Sequence, residues 1–217
     1  MTRTIHATLR SLSPYSQSRP HCEAKLAKEL PDAYEARTWH YRLHNENGRI
    51  MMPGMAVRNA LAEAAKYLSI QVPGKGKSTY TKHFEAGVLI TQNAQMFTHD
   101  GTPIVPPSEM GLRRVLAQCP DKPREDDEAA AYVPALNEVY GDWVYVPSNG
   151  VRGDGKRVWK CYPMIATWQA SFDFLIVDEV ITEDVFLKVL KEAGQLIGLG
   201  RFRVRNCGTY GRFEVLS

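Results

Sequence analysis

The stretch "ASFDFLIVDEVITEDVFLKVLKEAGQLIG" constrains the fold more than any other, because its apolar pattern changes period part-way along. Phe172, Phe174 and Ile176 alternate with other residues, which puts one face of a strand in a core. Thr182 then opens an amphipathic run. Its hydroxyl can accept from a first-turn N–H, Glu183 and Asp184 suit the positive end of a helix, and a glycine ends the run. A strand therefore feeds directly into a capped helix. The chain closes on "TYGRFEVL", a second strand. An earlier stretch, "RIMMPGMAVRNALAEAAKYLSI", is built alike: a short apolar strand, Pro53 near the first helical turn, then good helix formers. There Val57, Leu61, Ala64, Ala65 and Leu68 recur at helical spacing.

Two more segments complete the skeleton. "TIHATLRSLSPYS" alternates through Ile5, Ala7 and Leu9 and turns at Pro14; "EAGVLITQNAQ" predicts a strand from Ala86 to Ile90. The order is strand, helix, strand, insertion, strand, helix, strand. That predicts an α+β fold with a ferredoxin-like (RRM-like) βαββαβ core and two long insertions. A single domain, 1–217, is expected. Its core covers about 1–15, 49–94 and 158–217, and its insertions about 16–48 and 95–157. In the first insertion "EAKLAKEL" and "YEARTWHYRLH" predict short helices. In the second, "DKPREDDE" is a solvated stretch, "DWVYVP" a short strand and "SNGVRGDGKR" a hairpin tip. "VWKCYPMIATWQASFDFLIVD" gives one or two long strands.

Composition removes several classes of function. The 217 residues are 44% hydrophobic, enough for a real core. No apolar run reaches the roughly 18 residues of a membrane span, and "MTRTIHATLR" has no apolar signal core, so a cytoplasmic protein without membrane partners is expected. Cys22, Cys119, Cys161 and Cys207 form no CxxC pair and are expected as buried free thiols. His40 and His44 are four apart and could share a helix face, but no HExxH pattern and no third ligand accompany them, so neither metal nor other cofactor is expected. "PGKGKSTYTKHF" contains Gly76-Lys77-Ser78, yet Gln71 stands where a phosphate-binding P-loop needs glycine. A helix-like stretch precedes it and a strand-like one follows, the reverse of that motif.

Distribution of charge says more than the net charge of +3. Three glycine-bearing segments are basic. The first is a flexible loop with Lys75, Lys77 and Lys82 and no acid from Gln71 to Phe84. The second, "SNGVRGDGKRVWK", carries Arg152, Lys156, Arg157 and Lys160 beside Trp159. The third, "GLGRFRVRNCGTYGRF", has Arg201, Arg203, Arg205 and Arg212 between glycines that would let backbone approach a ligand. Arginines suit bidentate phosphate contacts. Tyr80, His83, Trp159 and Tyr210 are candidates to stack on bases. Arg37 and Arg42, in the stretch from Tyr34, are the candidates to extend the same face. The alternative for each loop is a solvated surface.

"IMMPGMAVRNAL", the glycine-rich "GLGRFRVRNCGTYGRFEV" after the last helix, and the ferredoxin-like order together resemble the RAMP superfamily, the repeat-associated RNA-binding proteins of CRISPR effector complexes. Within it the chain is most similar to the backbone subunit that polymerises along guide RNA. The resemblance covers the core. It departs at Arg58-Asn59, where the family often has Lys-Gly. The stretch "PGKGK…YTKHFEAGV" is also similar to phage and prophage proteins, so a solitary relative outside such a complex is a second setting. The resemblance implies a non-catalytic, sequence-independent binder of single-stranded RNA or single-stranded DNA. Its partners would be copies of itself, head to tail, and other effector subunits. The two insertions, with "YEARTWHYRL" and "MGLRRVLAQC", are natural contacts between copies.

Two other classes remain open. An endoribonuclease needs a general base and a cation; His83 beside Lys82, His40 with His44, or a loop aspartate such as Asp32 are the candidates. A phage single-stranded DNA-binding or anti-defence protein would use the same chemistry as the binder.

Overall fold

The computed structural model describes residues 2–108, 139–149 and 155–216. In chain order the elements are β1 (Arg3–Ser11), β2 (Tyr15–Ser16), α1 (Pro31–Thr38), a 3-10 turn (Trp39–Arg42), β3 (Asn45–Glu46), β4 (Arg49–Met52), α2 (Gly54–Leu68), α3 (Thr81–Gly87), β5 (Val88–Leu89) and β6 (Ala94–Gln95). Then come β7 (Val139–Pro147), β8 (Arg157–Ile165), β9 (Gln169–Ile176), α4 (Glu183–Glu192), a π-turn (Ala193–Ile197), a second 3-10 turn (Val204–Asn206) and β10 (Phe213–Leu216). The protein is α+β with antiparallel sheets. The main sheet has four strands in the order β10-β1-β9-β5. Its register places Ile5 opposite Phe174, Ala7 opposite Phe172 and Leu9 opposite Ala170. These six are buried, so the period-two pattern in both strands faces one core.

Helices α2 and α4 belong to that core. Val57, Leu61, Ala64 and Ala65 of α2 are buried as their spacing predicts. Gly54 N–H donates to Asn93 Oδ1 at 3.2 Å, satisfying one orphan donor of the first turn. Thr182 caps α4 as predicted, its Oγ1 accepting from Val185 N–H at 3.4 Å. Phe186 of α4 meets Phe174 edge-on at 5.0 Å and stacks parallel to Phe84 at 6.4 Å. The helix then widens into the π-turn. Gly194 sits there because a Cβ would lie 2.1 Å from the Phe213 carbonyl oxygen, so β10 packs directly on helix backbone. Among the described residues no helix is long and apolar enough to cross a membrane.

Several expectations change. The segment expected as strand from Ala86 is helix to Gly87, and only Val88–Leu89 remain strand. Tyr80 and Phe84, four apart, are both buried, and Phe84 N–H donates to the Tyr80 carbonyl; this 3.6-residue period wins over local strand preference. Ala94–Gln95 leave for another sheet, pairing with β4. "EAKLAKEL" is not helical: Lys28 takes φ 61°, and Glu29 closes a turn by accepting from Leu26 N–H at 2.9 Å. "YEARTWHYRLH" is helical only to Arg42, where Leu43 turns extended to bury its side chain.

The second insertion contributes β7, which pairs with β8, from Val139↔Ile165 to Pro147↔Arg157; β8 falls in the segment expected as core but joins β2 and β7 in a separate sheet. Gly150 to Asp154, expected as the tip, lie outside the described residues, and Ser148 N–H donates to the Lys156 carbonyl at 2.8 Å. "DKPREDDE" and "MGLRRVLAQC" also lie outside the described residues.

Candidate nucleic-acid interface

The base of the hairpin joins three distant parts of the chain. Glu35 of α1 is 5% exposed and accepts from Arg42 Nη2 at 3.0 Å, Lys160 Nζ at 3.2 Å and Cys161 N–H at 3.4 Å. Next to it Tyr162, buried on β8, is faced by two guanidinium groups: Arg42 at 5.0 Å and Arg201 at 3.9 Å from the ring centroid. The negative face of the ring attracts both cations. Arg42 is tied to an acid, whereas Arg201 makes no ion pair with a described residue and only reaches Ser18 Oγ at 3.3 Å. Phe202 meets Tyr162 at 6.3 Å and Tyr210 at 6.1 Å, extending the aromatic group into the glycine-rich loop. Asp142 lies opposite Tyr162 in register; burial pushes its carboxyl above the ordinary value. Burial, and then the Asp142 charge, raises Tyr210 as well.

The glycines of that loop serve the protein's own backbone rather than a ligand. A Cβ on Gly200 would lie 2.3 Å from the Ser16 carbonyl oxygen, on Gly208 1.6 Å from that of Phe202, and on Gly211 2.0 Å from that of Leu199. Gly200 and Gly211 also have φ of +73° and +71°, which L side chains rarely adopt. This close packing holds the arginines in place. Arg203 Nη2 donates to Glu63 Oε1 of α2 at 2.7 Å, and Arg205 leans toward Tyr67 of the same helix, 6.0 Å from its centroid.

The Lys75 loop is crossed by backbone hydrogen bonds. Val72 N–H donates to the Ser78 carbonyl, Lys75 N–H to that of Val72 and Ser78 N–H to that of Lys75, while Gly74 and Gly76 take positive φ. Val72 and Tyr80 anchor its stem in the core. Lys75, Lys77 and Lys82 are exposed and make no ion pair with a described residue. Tyr80 is 3% exposed, so it packs in the core and offers no face to a base, a correction to its predicted role. His83 donates from Nδ1 to Asp178 Oδ2 at 2.6 Å. Burial would raise the Asp178 carboxyl, but the bonds from His83 and Val180 N–H, with the charge of Lys75, hold it below the ordinary value.

At the hairpin end, Trp159 lies opposite Tyr145 with ring centroids 5.2 Å apart, and Arg157 stands 5.2 Å over Tyr145 while donating to its carbonyl. Lys156 is exposed; Arg152 lies outside the described residues. Arg37 is engaged within the first insertion: Nε and Nη2 donate to Glu29 at 2.8 and 3.0 Å, and Nη2 also to the Ala24 carbonyl. That bond holds the Glu29 carboxyl down to about 2. His40 and His44 do not share a helix face, because the turn ends at Arg42. His40 packs on Tyr41 at 4.1 Å and burial lowers both imidazoles. Asp32 is in the first turn of α1. Of the thiols, Cys161 is buried as expected, but Cys22 and Cys207 are exposed, and Cys119 lies outside the described residues. Among the described residues no group of three or more His, Cys, Asp or Glu is placed to hold a metal ion.

No family model matches the chain, and no curated protein matches it by sequence. The solved structures similar to it include these two. One is the crystal structure of Cmr6 from Pyrococcus furiosus, 13% identical, with a TM-score of 0.42 over 100% of this chain and 98% of that one. The other is a chain of the cryo-EM structure of the Type III-B Cmr-beta bound to cognate target RNA. It is 13% identical, with a TM-score of 0.36 over 98% of this chain and 59% of that one.

The predicted residues thus fall into three groups. Arg42, Arg201, Arg203, Arg205 and Tyr210 surround the glycine-rich loop. Lys75 and Lys77 sit on the hydrogen-bonded loop that follows α2, and Lys82 and His83 in the first turn of α3. Lys156, Arg157 and Trp159 occupy the outer hairpin. Sequence reasoning passed over Tyr162, Phe202, Tyr145, Lys66 and Tyr67. Phe202 in "RFR" and Lys66-Tyr67 in "KY" carry only an aromatic beside a cation, which recurs too often to select them, and Tyr145 and Tyr162 sit in apolar strand sequence with no such signal.

Proposed function

We propose that the chain binds single-stranded nucleic acid, RNA first, through its phosphates, as a RAMP-type backbone subunit. The observation that carries this reading is the convergence of Arg42 and Arg201 on the Tyr162 ring, from the first insertion, β8 and the glycine-rich loop. A half-buried guanidinium without an acid partner, set among aromatic rings, suits a phosphate with a neighbouring base. Lys75, Lys77, Lys82, Lys156, Arg157, Arg203 and Arg205 extend the path, with Trp159 and Tyr210 as stacking groups. Arg152 belongs to the same proposal on sequence grounds. Arg37 adds long-range charge rather than direct contact. The strand order β10-β1-β9-β5, joined through α2 and α4, supports a ferredoxin-like core within one domain.

Copies would line up along the strand through the two insertions, whose contacts do not close into a ring. Light scattering on RNAs of increasing length tests this: complex mass should rise in regular steps. One copy per strand at every length would contradict it.

One observation favours cleavage as a second reading. The Asp178 carboxylate accepts from Nδ1 of His83, which leaves Nε2 as the candidate base, with Lys82 next in sequence and Lys75 close enough for its charge to act on Asp178. Labelled RNA incubated with the protein, with and without EDTA, separates the two. Cleavage that survives EDTA and is lost in His83→Ala supports the nuclease.

A further inference from the structure

Between the C-terminal half of α2 and the glycine-rich loop lies a cleft of about 570 Å3 lined by Glu63, Lys66, Tyr67, Arg205 and Asn206. Sites for small ligands span about 300–1,000 Å3. The residues at its mouth do not serve the core: Lys66, Tyr67, Arg205 and Asn206 are all exposed, and Tyr67 shows 59% of its surface. Such an exposed tyrosine on a helix needs no structural reason, but its companion does. The Arg205 guanidinium stands 6.0 Å from the Tyr67 centroid and makes no ion pair with a described residue. A direct stack would close to about 3.5–4 Å, whereas a flat ring between the two needs two such layers, about 7 Å. At 6.0 Å the pair sits at the outer limit of a cation–ring contact, and an exposed arginine can rotate to admit a flat ring. Glu63, on its wall, gives Oε1 to Arg203.

We propose that this cleft holds one base of the bound strand, stacked between Tyr67 and Arg205, with an adjoining phosphate on Lys66. Every base has a π-face, so the subsite tolerates any sequence. It rests on the single-strand reading above and adds to it a contact to base where the surrounding cations contact phosphate. The two kinds of contact respond differently to salt. Phosphate contacts set the slope of log K against log salt, while a neutral stack does not.

The test compares an RNA oligonucleotide with an abasic oligonucleotide of the same length, by anisotropy across a salt series. Tyr67→Ala should weaken RNA binding about 5- to 150-fold with the slope unchanged. Tyr67→Phe should bind like the wild type, and on the abasic strand Tyr67→Ala and wild type should agree. Lys66→Ala should lower the slope by about 0.7. If Tyr67→Ala binds RNA as tightly as wild type, or loses equally on the abasic strand, the base subsite is overturned and phosphate binding stands. If the wild type binds neither strand, the single-strand reading falls and the subsite with it. Tyr67 is exposed, so an unfolding midpoint equal to wild type is expected and confirms that any loss is one of binding.

Discussion

Replacing Glu35 with glutamine should be among the most damaging single changes outside the apolar core. Its carboxylate is buried and receives Arg42, Lys160 and the Cys161 N–H. Glutamine keeps the shape but removes the charge and turns an amide NH2 toward donors. Lys160 has about a third of its side chain exposed, at 31%, and can turn to water. Arg42, at 15%, cannot, because Tyr162 covers it. Leaving one cation buried and unpaired costs about 3–5 kcal/mol, and partial exposure points to the lower end, about 3 kcal/mol. For a chain of this size that is a fall in melting temperature of roughly 6–12 °C. Thermal unfolding followed by circular dichroism measures it. The sharper assay is a double-mutant cycle: Glu35→Gln with Arg42→Met should be less destabilised than Glu35→Gln alone, because the orphaned charge has gone. A melting temperature within about 2 °C of wild type for Glu35→Gln, or additive losses in the double mutant, would show that water already satisfies Arg42.

Three further outcomes are expected. Gly211→Ala should destabilise by about 1–3 kcal/mol from positive φ alone, with the Leu199 carbonyl 2.0 Å from the new Cβ adding to it, whereas Gly74→Ala, which shares the positive φ but meets nothing within 4 Å, should cost less; urea midpoints of the two variants decide it. Burial lowers His21, His40 and His44 below their ordinary 6.5, so the unfolded chain binds more protons, and stability present above that value should be lost as pH falls through the folded values; a flat urea midpoint from about pH 7.5 to 5.5 would contradict this. Glu29, held at about 2 chiefly by its bond from Arg37, contributes stability above its ordinary 4.5, and Arg37→Ala should flatten the acid limb of the same profile between those two values.

Legibility in the sequence followed the range of the interaction. Helix α2 and the Thr182 cap were readable because periodicity and capping lie within one turn. The hairpin was readable because its tip chemistry is local. Helix α3 was not, since two buried aromatics at one helical spacing are too few to outweigh "GVLI". The arginines of the glycine-rich loop were visible as charge, but their settings were not: Arg203 meets Glu63 from 140 positions away, and Arg201 meets Tyr162 on another element. The glycines misled. Glycine between cations reads alike whether backbone approaches a ligand or another carbonyl, and here it approaches Ser16, Phe202 and Leu199. Arg37 misled for the opposite reason, as its acid partner sits nearby in sequence, inside a turn that resembled a helix.

We propose that exposed cations, Lys75 and Lys77 on their hydrogen-bonded loop and Lys82 in the first turn of α3, bind the phosphates of a single strand. The most direct measurement is the salt dependence of binding to a short RNA of arbitrary sequence, for the wild type and for Lys75→Ala, Lys77→Ala and Lys82→Ala combined. These three lysines are exposed and support no core contact, so the fold should be untouched. The account predicts a linear fall of log K with log salt in the wild type, and a slope smaller by about 2 in the triple variant, at about 0.7 per phosphate lost. The loss should be equal for unrelated sequences. An unchanged slope in a folded triple variant would contradict the claim.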